Sequence, residues 1–120
     1  MTWIYNVNAN TFEQNGTFKF NGLYAGAEGY KNNTEFECEI NKGSLPRGKY
    51  RISRPIAKHQ TAGRFVLRLT PYIENEMCGR AGFLIHGDNG RGTASNGCIV
   101  ATYDARLEIA ESGDRELIVK

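Results

Sequence analysis

His86 closes the apolar run Phe83-Leu84-Ile85 and opens a loop of Gly, Asp and Asn; twelve positions later Cys98, preceded by Ser95-Asn96-Gly97, opens a second apolar run, Ile99-Val100. A cysteine near neutral pH is mostly thiol, and it attacks a carbonyl only where a base or a cation favours the thiolate. Histidine is the usual base. His86 would take the proton of Cys98 and return it to a leaving group, while the backbone N–H groups of Gly97 and Cys98 would hold the developing oxyanion. Glycine at 97 would leave room where substrate must approach. A lone cysteine is ordinarily a small buried residue and a lone histidine a satisfied turn residue. Here both flank glycine at strand ends, in a loop whose Gly, Ser and Asn content a structural hairpin does not need.

Two strands must bring imidazole and thiol to one end of a sheet, and the rest of the chain reads as that sheet. Asn8-Ala9-Asn10, Asn15-Gly16 and Asn21-Gly22 punctuate the first quarter. Asn-Gly favours the two-residue hairpin because both central residues take positive φ. Trp3, Tyr5 and Val7 alternate with Ile4 and Asn6, and Phe18 and Phe20 with Thr17 and Lys19, the period of half-buried strands. The same alternation predicts a strand over 35–40, with Phe36, Cys38 and Ile40 inward and Glu35, Glu37 and Glu39 outward. Further strands are expected over 49–52, entered through Pro46 and Gly48, over 65–70 and over 116–120. Residues 54–63 read as a polar loop that leaves His59 in solvent, and 71–79 as a connection. Thr102 caps a helix from 103 to about 111, with Asp104 in its first turn, Gly113 as its stop, and Tyr103, Leu107 and Ala110 on one face. One short helix among many strands predicts a mainly β fold, and 120 residues make one domain, 1–120.

Composition narrows the function classes. A net charge of +2, with Lys and Arg scattered among acidic residues, argues against nucleic acid. Three cysteines cannot all pair within one chain, so a disulfide framework is not expected and at least one thiol stays free. No CxxC or HxxxH spacing marks a zinc site, so neither a metal nor another cofactor is expected. The N-terminus lacks a secretory signal, and no apolar run is long enough to span a bilayer. The expectation is a protein made in the cytoplasm without a cleaved leader.

At its histidine and cysteine the chain resembles the L,D-transpeptidases, whose signature is a histidine, a loop, then Ser/Thr-His-Gly-Cys. Ser95, Gly97 and Cys98 fall on that motif; Asn96 stands at the second histidine, and the loop is shorter. The resemblance extends to the small branch exported as peptidoglycan-targeting effectors by type VI secretion systems, through Gly29-Tyr30-Lys31-Asn32-Asn33, Gly43-Ser44-Leu45-Pro46-Arg47-Gly48-Lys49-Tyr50, Gly79-Arg80-Ala81-Gly82-Phe83-Leu84-Ile85-His86-Gly87 and Ser95-Asn96-Gly97-Cys98-Ile99. It implies an L,D-transpeptidase-like β-sandwich of short antiparallel strands with one C-terminal helix. It implies a Cys98 nucleophile with His86 as base, Ser95, Asn96 and Gly97 around the oxyanion, and a backbone carbonyl rather than Asp88 orienting the imidazole. Arg80, Tyr24, Tyr30 and Gly87 are the candidate substrate contacts, Arg80 as a bidentate grip on a stem-peptide carboxylate. The implied partners are peptidoglycan stem peptides, a cognate immunity protein and a secretion-apparatus carrier, and the implied place of action is the periplasm of a target cell.

Two function classes therefore compete. One is a cysteine acyl-transfer enzyme that attacks the carbonyl before the terminal D-alanine of a tetrapeptide stem. Water as acceptor makes it an L,D-carboxypeptidase, and an amine makes it an exchange or cross-linking enzyme. The other is a non-catalytic β-domain that binds a partner or glycan through the Gly/Tyr-rich loop at 22–33. A papain-like hydrolase is disfavoured, since there cysteine precedes histidine. Rapid alkylation of Cys98 near neutral pH is the property expected of the enzyme.

Overall fold

In the computed structural model, which describes residues 2–120, the Asn-Gly pair does what its chemistry predicts. Asn15 and Gly16 take φ of 54° and 79°, and around them β2 (Thr11–Gln14) and β3 (Thr17–Asn21) form a hairpin. β1 (Trp3–Asn6) pairs antiparallel with β2 and parallel with β10 (Glu116–Val119). The path continues through β5 (Gly48–Ile52), β7 (Gly63–Pro71), β8 (Leu84–His86), β9 (Ile99–Val100) and β4 (Tyr24–Ala25), giving the order β3-β2-β1-β10-β5-β7-β8-β9-β4. β8 and β9 are the second parallel pair. Residues from both ends of this path, Trp3, Tyr5 and Phe12 with Phe83, Ile85 and Ile99, share one core cluster, so the sheet curls around a common core. Wholly burying each such side chain contributes about 1.5–3 kcal/mol.

The helix, α1 (Tyr103–Ser112), begins and ends at its predicted caps. Thr102 Oγ1 accepts the Ala105 N–H at 3.1 Å, and Gly113 takes the left-handed φ of 78°. Its buried side is Ala105, Arg106 and Ile109, while Tyr103 is half exposed, so the 103/107/110 stripe is not the core face.

Two segments differ from the sequence reading. Residues 35–40 are not a strand: a 3-10 turn, Thr34–Phe36, leads into further turns, and Cys38 and Ile40 are exposed. Residues 54–63 are not an open loop, because β6 (Ile56–His59) turns back on β7 as a hairpin. Phe18 is exposed as well, since a register shift at Phe12/Glu13 breaks the alternation between β2 and β3.

Candidate active site

Strand alternation builds the site. Leu67, Leu69, Phe83, Ile85 and Ile99 point into the core, so Arg68 on β7, Leu84 and His86 on β8, and Cys98 just before β9 occupy the opposite face. The register sets Arg68 opposite Leu84 and Ile85 beside Ile99, which places Leu84 between Arg68 and Cys98. His86 lies one pleat further along β8, a diagonal neighbour of Cys98 at a ladder spacing of roughly 7 Å. Both line one cavity of about 520 Å³.

His86 is 5 % exposed, and its Nδ1 lies 2.8 Å from the Gly87 carbonyl. A carbonyl only accepts, so Nδ1 carries the proton and Nε2 presents its lone pair. Burial pushes the imidazole below its usual range, with the nearby Arg106 guanidinium acting in the same direction, so the ring is neutral at physiological pH. Asp88 is not the orienting group: it accepts the Tyr24 hydroxyl at 2.6 Å.

Cys98 is the free thiol among the three cysteines. Burial raises its pKa, against the opposing pull of the Leu84 and Cys98 N–H groups and of Arg80. The Leu84 N–H is available because Leu69 N–H bonds the Phe83 carbonyl on one side of Leu84 and Ile85 pairs with Leu67 on the other. In an antiparallel ladder the intervening residue turns its amide away from its partner strand, here toward β9. Thiol and imidazole are not hydrogen-bonded to one another, and the resting pair is neutral thiol and neutral imidazole. Unassisted alkylation of Cys98 near neutral pH should therefore be slow, contrary to the expectation from sequence.

The Ser95-Asn96-Gly97 loop is built to hold the cysteine. Ser95, 3 % exposed, donates to the Cys98 carbonyl at 2.7 Å and accepts from Gly97 N–H at 2.9 Å and Gly26 N–H at 3.0 Å. The Gly97 N–H is thus occupied and is not an oxyanion donor; the N–H groups beside the sulfur are those of Cys98 and Leu84. Gly97 has φ of 146°, and a Cβ there would meet Arg80 Nη2 at 2.6 Å, the Gly43 carbonyl at 2.9 Å and Phe83 Cε1 at 2.9 Å. Its missing side chain makes room for Arg80, not for substrate. Asn96 is exposed at the cavity, and its backbone carbonyl accepts from Arg80 Nη2.

Arg80 also lines the cavity, but its role differs from the expected carboxylate grip. Nη1 donates to the carbonyls of Glu37 (2.5 Å) and Ser44 (3.0 Å), and Nη2 to those of Gly43 (2.8 Å) and Asn96 (3.1 Å). All four Nη protons are taken by backbone, which leaves no bidentate edge for a ligand. Tyr24 and Tyr30 are likewise turned to internal work. The Tyr24 hydroxyl accepts Ala94 N–H at 2.8 Å while donating to Asp88, and Lys31 Nζ sits 4.1 Å over its ring. Tyr30 packs edge-on against Phe36 at 5.0 Å. Neither lines the cavity, and the binding-loop reading loses its two aromatics. Gly87 holds His86 through its carbonyl and lines a smaller recess of about 350 Å³; a Cβ there would meet Arg106 Nη2 at 2.9 Å.

Several cavity residues went unflagged in the sequence: Ile40, Asn41, Thr61 and Arg68, together with His59, which the β6–β7 hairpin carries in. Arg106 was missed too. It donates through Nη1 to the Arg64 and Phe65 carbonyls at 2.9 and 3.0 Å, holding Phe65 at φ of 53° and tying α1 beside the His86 loop. Alternation carried no signal for Arg106, because it reaches its place through the carbonyls of Arg64 and Phe65 on another element. Cys38, expected to point inward as an inert thiol, instead forms a disulfide with Cys78, with Cα atoms 5.4 Å apart. Among the described residues, no cluster of His, Cys, Asp and Glu is placed to hold a metal, and no helix is long and apolar enough to cross a membrane.

The sequence model of the Tlde1 domain matches residues 19–117, which include all of the cavity. The chain belongs to the Tlde1 domain family. L,D-transpeptidase 1 of Mycobacterium tuberculosis is similar in fold to this Tlde1 domain, with a TM-score of 0.55 at 14 % identity over 98 % of this chain and 60 % of its own. An L,D-transpeptidase from Mycobacterium smegmatis gives a TM-score of 0.52 at 14 % identity over 99 % and 58 %. The Tlde1 domain therefore has an L,D-transpeptidase-like fold and spans about three-fifths of each of these proteins. No curated protein sequence matches it.

Proposed function

We propose that this Tlde1 domain is a cysteine acyl-transfer enzyme acting on the tetrapeptide stems of peptidoglycan. The observation that carries the proposal is the shared cavity of the free Cys98 and a His86 whose Nδ1–H is fixed on the Gly87 carbonyl, leaving Nε2 basic. As substrate enters, Nε2 takes the thiol proton and Sγ attacks the carbonyl before the terminal D-alanine. The Cys98 and Leu84 N–H groups stand beside the sulfur and so beside the oxyanion that forms. The C–N bond then breaks, the D-alanine amine leaves with the proton from His86, and a thioester remains on Cys98. Water releases it as an L,D-carboxypeptidase product; an amino acid or a second stem gives exchange or a cross-link.

An effector role, delivered to the periplasm of a target cell and neutralised at home by an immunity protein, agrees with the family and with an exposed Cys38–Cys78 disulfide, which an oxidising compartment preserves. The test is mass spectrometry of purified tetrapeptide muropeptides after incubation with wild type and with Cys98→Ala. The wild type should shorten or exchange the stem terminus and the variant should leave it intact. Equal turnover by Cys98→Ala overturns the proposal.

A further inference from the structure

The charged and titratable residues lining the cavity are Arg68, Arg80, His59, His86 and Cys98, with no Asp or Glu among the lining residues. That imbalance favours an anionic ligand. Arg80 is not the group to bind it, because backbone carbonyls take its Nη protons. Arg68 differs in every respect. It is exposed, and its guanidinium makes no hydrogen bond or ion pair among the described residues; only its backbone is engaged, with Ser53. It shares the outer face with Cys98 across Leu84, two strand spacings away, roughly 10 Å between backbones. A long side chain on that row spans the gap from one side while the scissile carbonyl sits over the thiol on the other.

His59 supplies a second donor. Its Nδ1 accepts the N–H groups of Thr61 at 3.2 Å and Ala62 at 3.1 Å, which puts the proton of the neutral ring on Nε2. The same hairpin turn that fixes this tautomer brings His59 to the cavity wall.

We propose that Arg68, seconded by the His59 Nε2–H, binds the free α-carboxylate of the terminal residue, so that the domain reads the chain end of its substrate. The proposal rests on the acyl-transfer reading for its placement of the scissile bond, and it changes no bond beyond those already described. It makes the domain exo-acting: the leaving residue must be the last one, with its carboxylate free.

The test separates binding from turnover by using Cys98→Ala as the host. Calorimetric titration compares a synthetic stem peptide ending in D-alanine as the free acid, the same peptide as its C-terminal amide, and a third whose only amidated carboxylate is on the side chain of the residue before D-alanine. The free acid and the side-chain amide should bind roughly 10–100-fold more tightly than the C-terminal amide, the usual worth of a charge-assisted pair. Adding Arg68→Gln should abolish that preference with an unchanged melting temperature, Arg68→Lys should keep part of it, and His59→Gln should reduce it less than Arg68→Gln. A preference that survives Arg68→Gln, or one that follows the side-chain carboxylate instead, overturns the proposal. If the preference behaves as stated but the wild type turns over neither peptide, the acyl-transfer reading fails and the carboxylate site stands.

Discussion

At the scale of residues, the proposed chemistry pairs two neutral groups, His86 and Cys98, that become reactive only together. Burial lowers the imidazole pKa of His86 and raises the thiol pKa of Cys98, so the proton moves to His86 only as the sulfur attacks the carbonyl that substrate offers. The sign of the pH dependence follows. A base whose pKa is depressed stays unprotonated to lower pH, so the acid limb of kcat/KM should fall with a midpoint below the ~6.5 of an ordinary histidine. Iodoacetamide should alkylate free Cys98 slowly at pH 7 and faster only above the ~8.5 of an ordinary thiol. Fast labelling at pH 7 would mean a resting ion pair. The second residue-scale prediction concerns Arg80, which holds the carbonyls of Glu37, Gly43, Ser44 and Asn96 at once. Arg80→Lys keeps the charge but loses the planar fork, and should cost about 2–3 kcal/mol in urea denaturation. A fully stable Arg80→Lys protein with a raised KM would return Arg80 to substrate binding.

At the scale of elements, the site is as good as the connections that hold its walls. The wall formed by 34–44 has no ladder partner; Arg80 and the Cys38–Cys78 disulfide tie it to the 72–82 connection, whose Gly79, Ala81 and Gly82 line the cavity together with Ile40 and Asn41. Closing a loop across a separation of 40 residues contributes about 3–4 kcal/mol. Cys38→Ser/Cys78→Ser should therefore melt well below the wild type and bind stem peptide more weakly, measured by calorimetry, while Cys98 keeps its chemistry. An unchanged melting temperature would contradict this.

The same elements show what could be read in advance. The helix was legible because its caps, Thr102 and Gly113, act within one turn, and the Asn15-Gly16 hairpin for the same reason. His86 and Cys98 stood out because nucleophile and base need those residue types, and the fold brings both to one cavity. Residues 35–40 misled because Phe36, Cys38 and Ile40 alternate like a strand, yet the Phe36 and Glu39 carbonyls accept local turn amides and that of Glu37 accepts from Arg80, 43 positions away, so none pairs with a neighbouring strand. Arg68 and His59 gave no signal, since each belongs to the site only through the folding of β6 and β7 against β8.

At the scale of the whole molecule, one curled sheet presents a core on one face and the site on the other, and the loops that carry Ile40, Asn41 and residues 79–82 complete the cavity. If the substrate is peptidoglycan, the compartment decides the effect. Directed to the periplasm of a susceptible bacterium by an added leader, the wild type should arrest growth or lyse cells, and it should be harmless in the cytoplasm. Cys98→Ala should be harmless in both places, and equal toxicity in the cytoplasm would point to another target. The central claim, a thioester on Cys98 formed with His86 as base, is tested most directly by intact-protein mass spectrometry of enzyme quenched in acid during turnover of a tetrapeptide stem. The account predicts an adduct of the acyl tripeptide mass that maps to Cys98, is absent from Cys98→Ala, and forms at least ~100-fold more slowly in His86→Gln. Turnover with Cys98 unmodified at every time point, or an adduct that persists in Cys98→Ala, would contradict it.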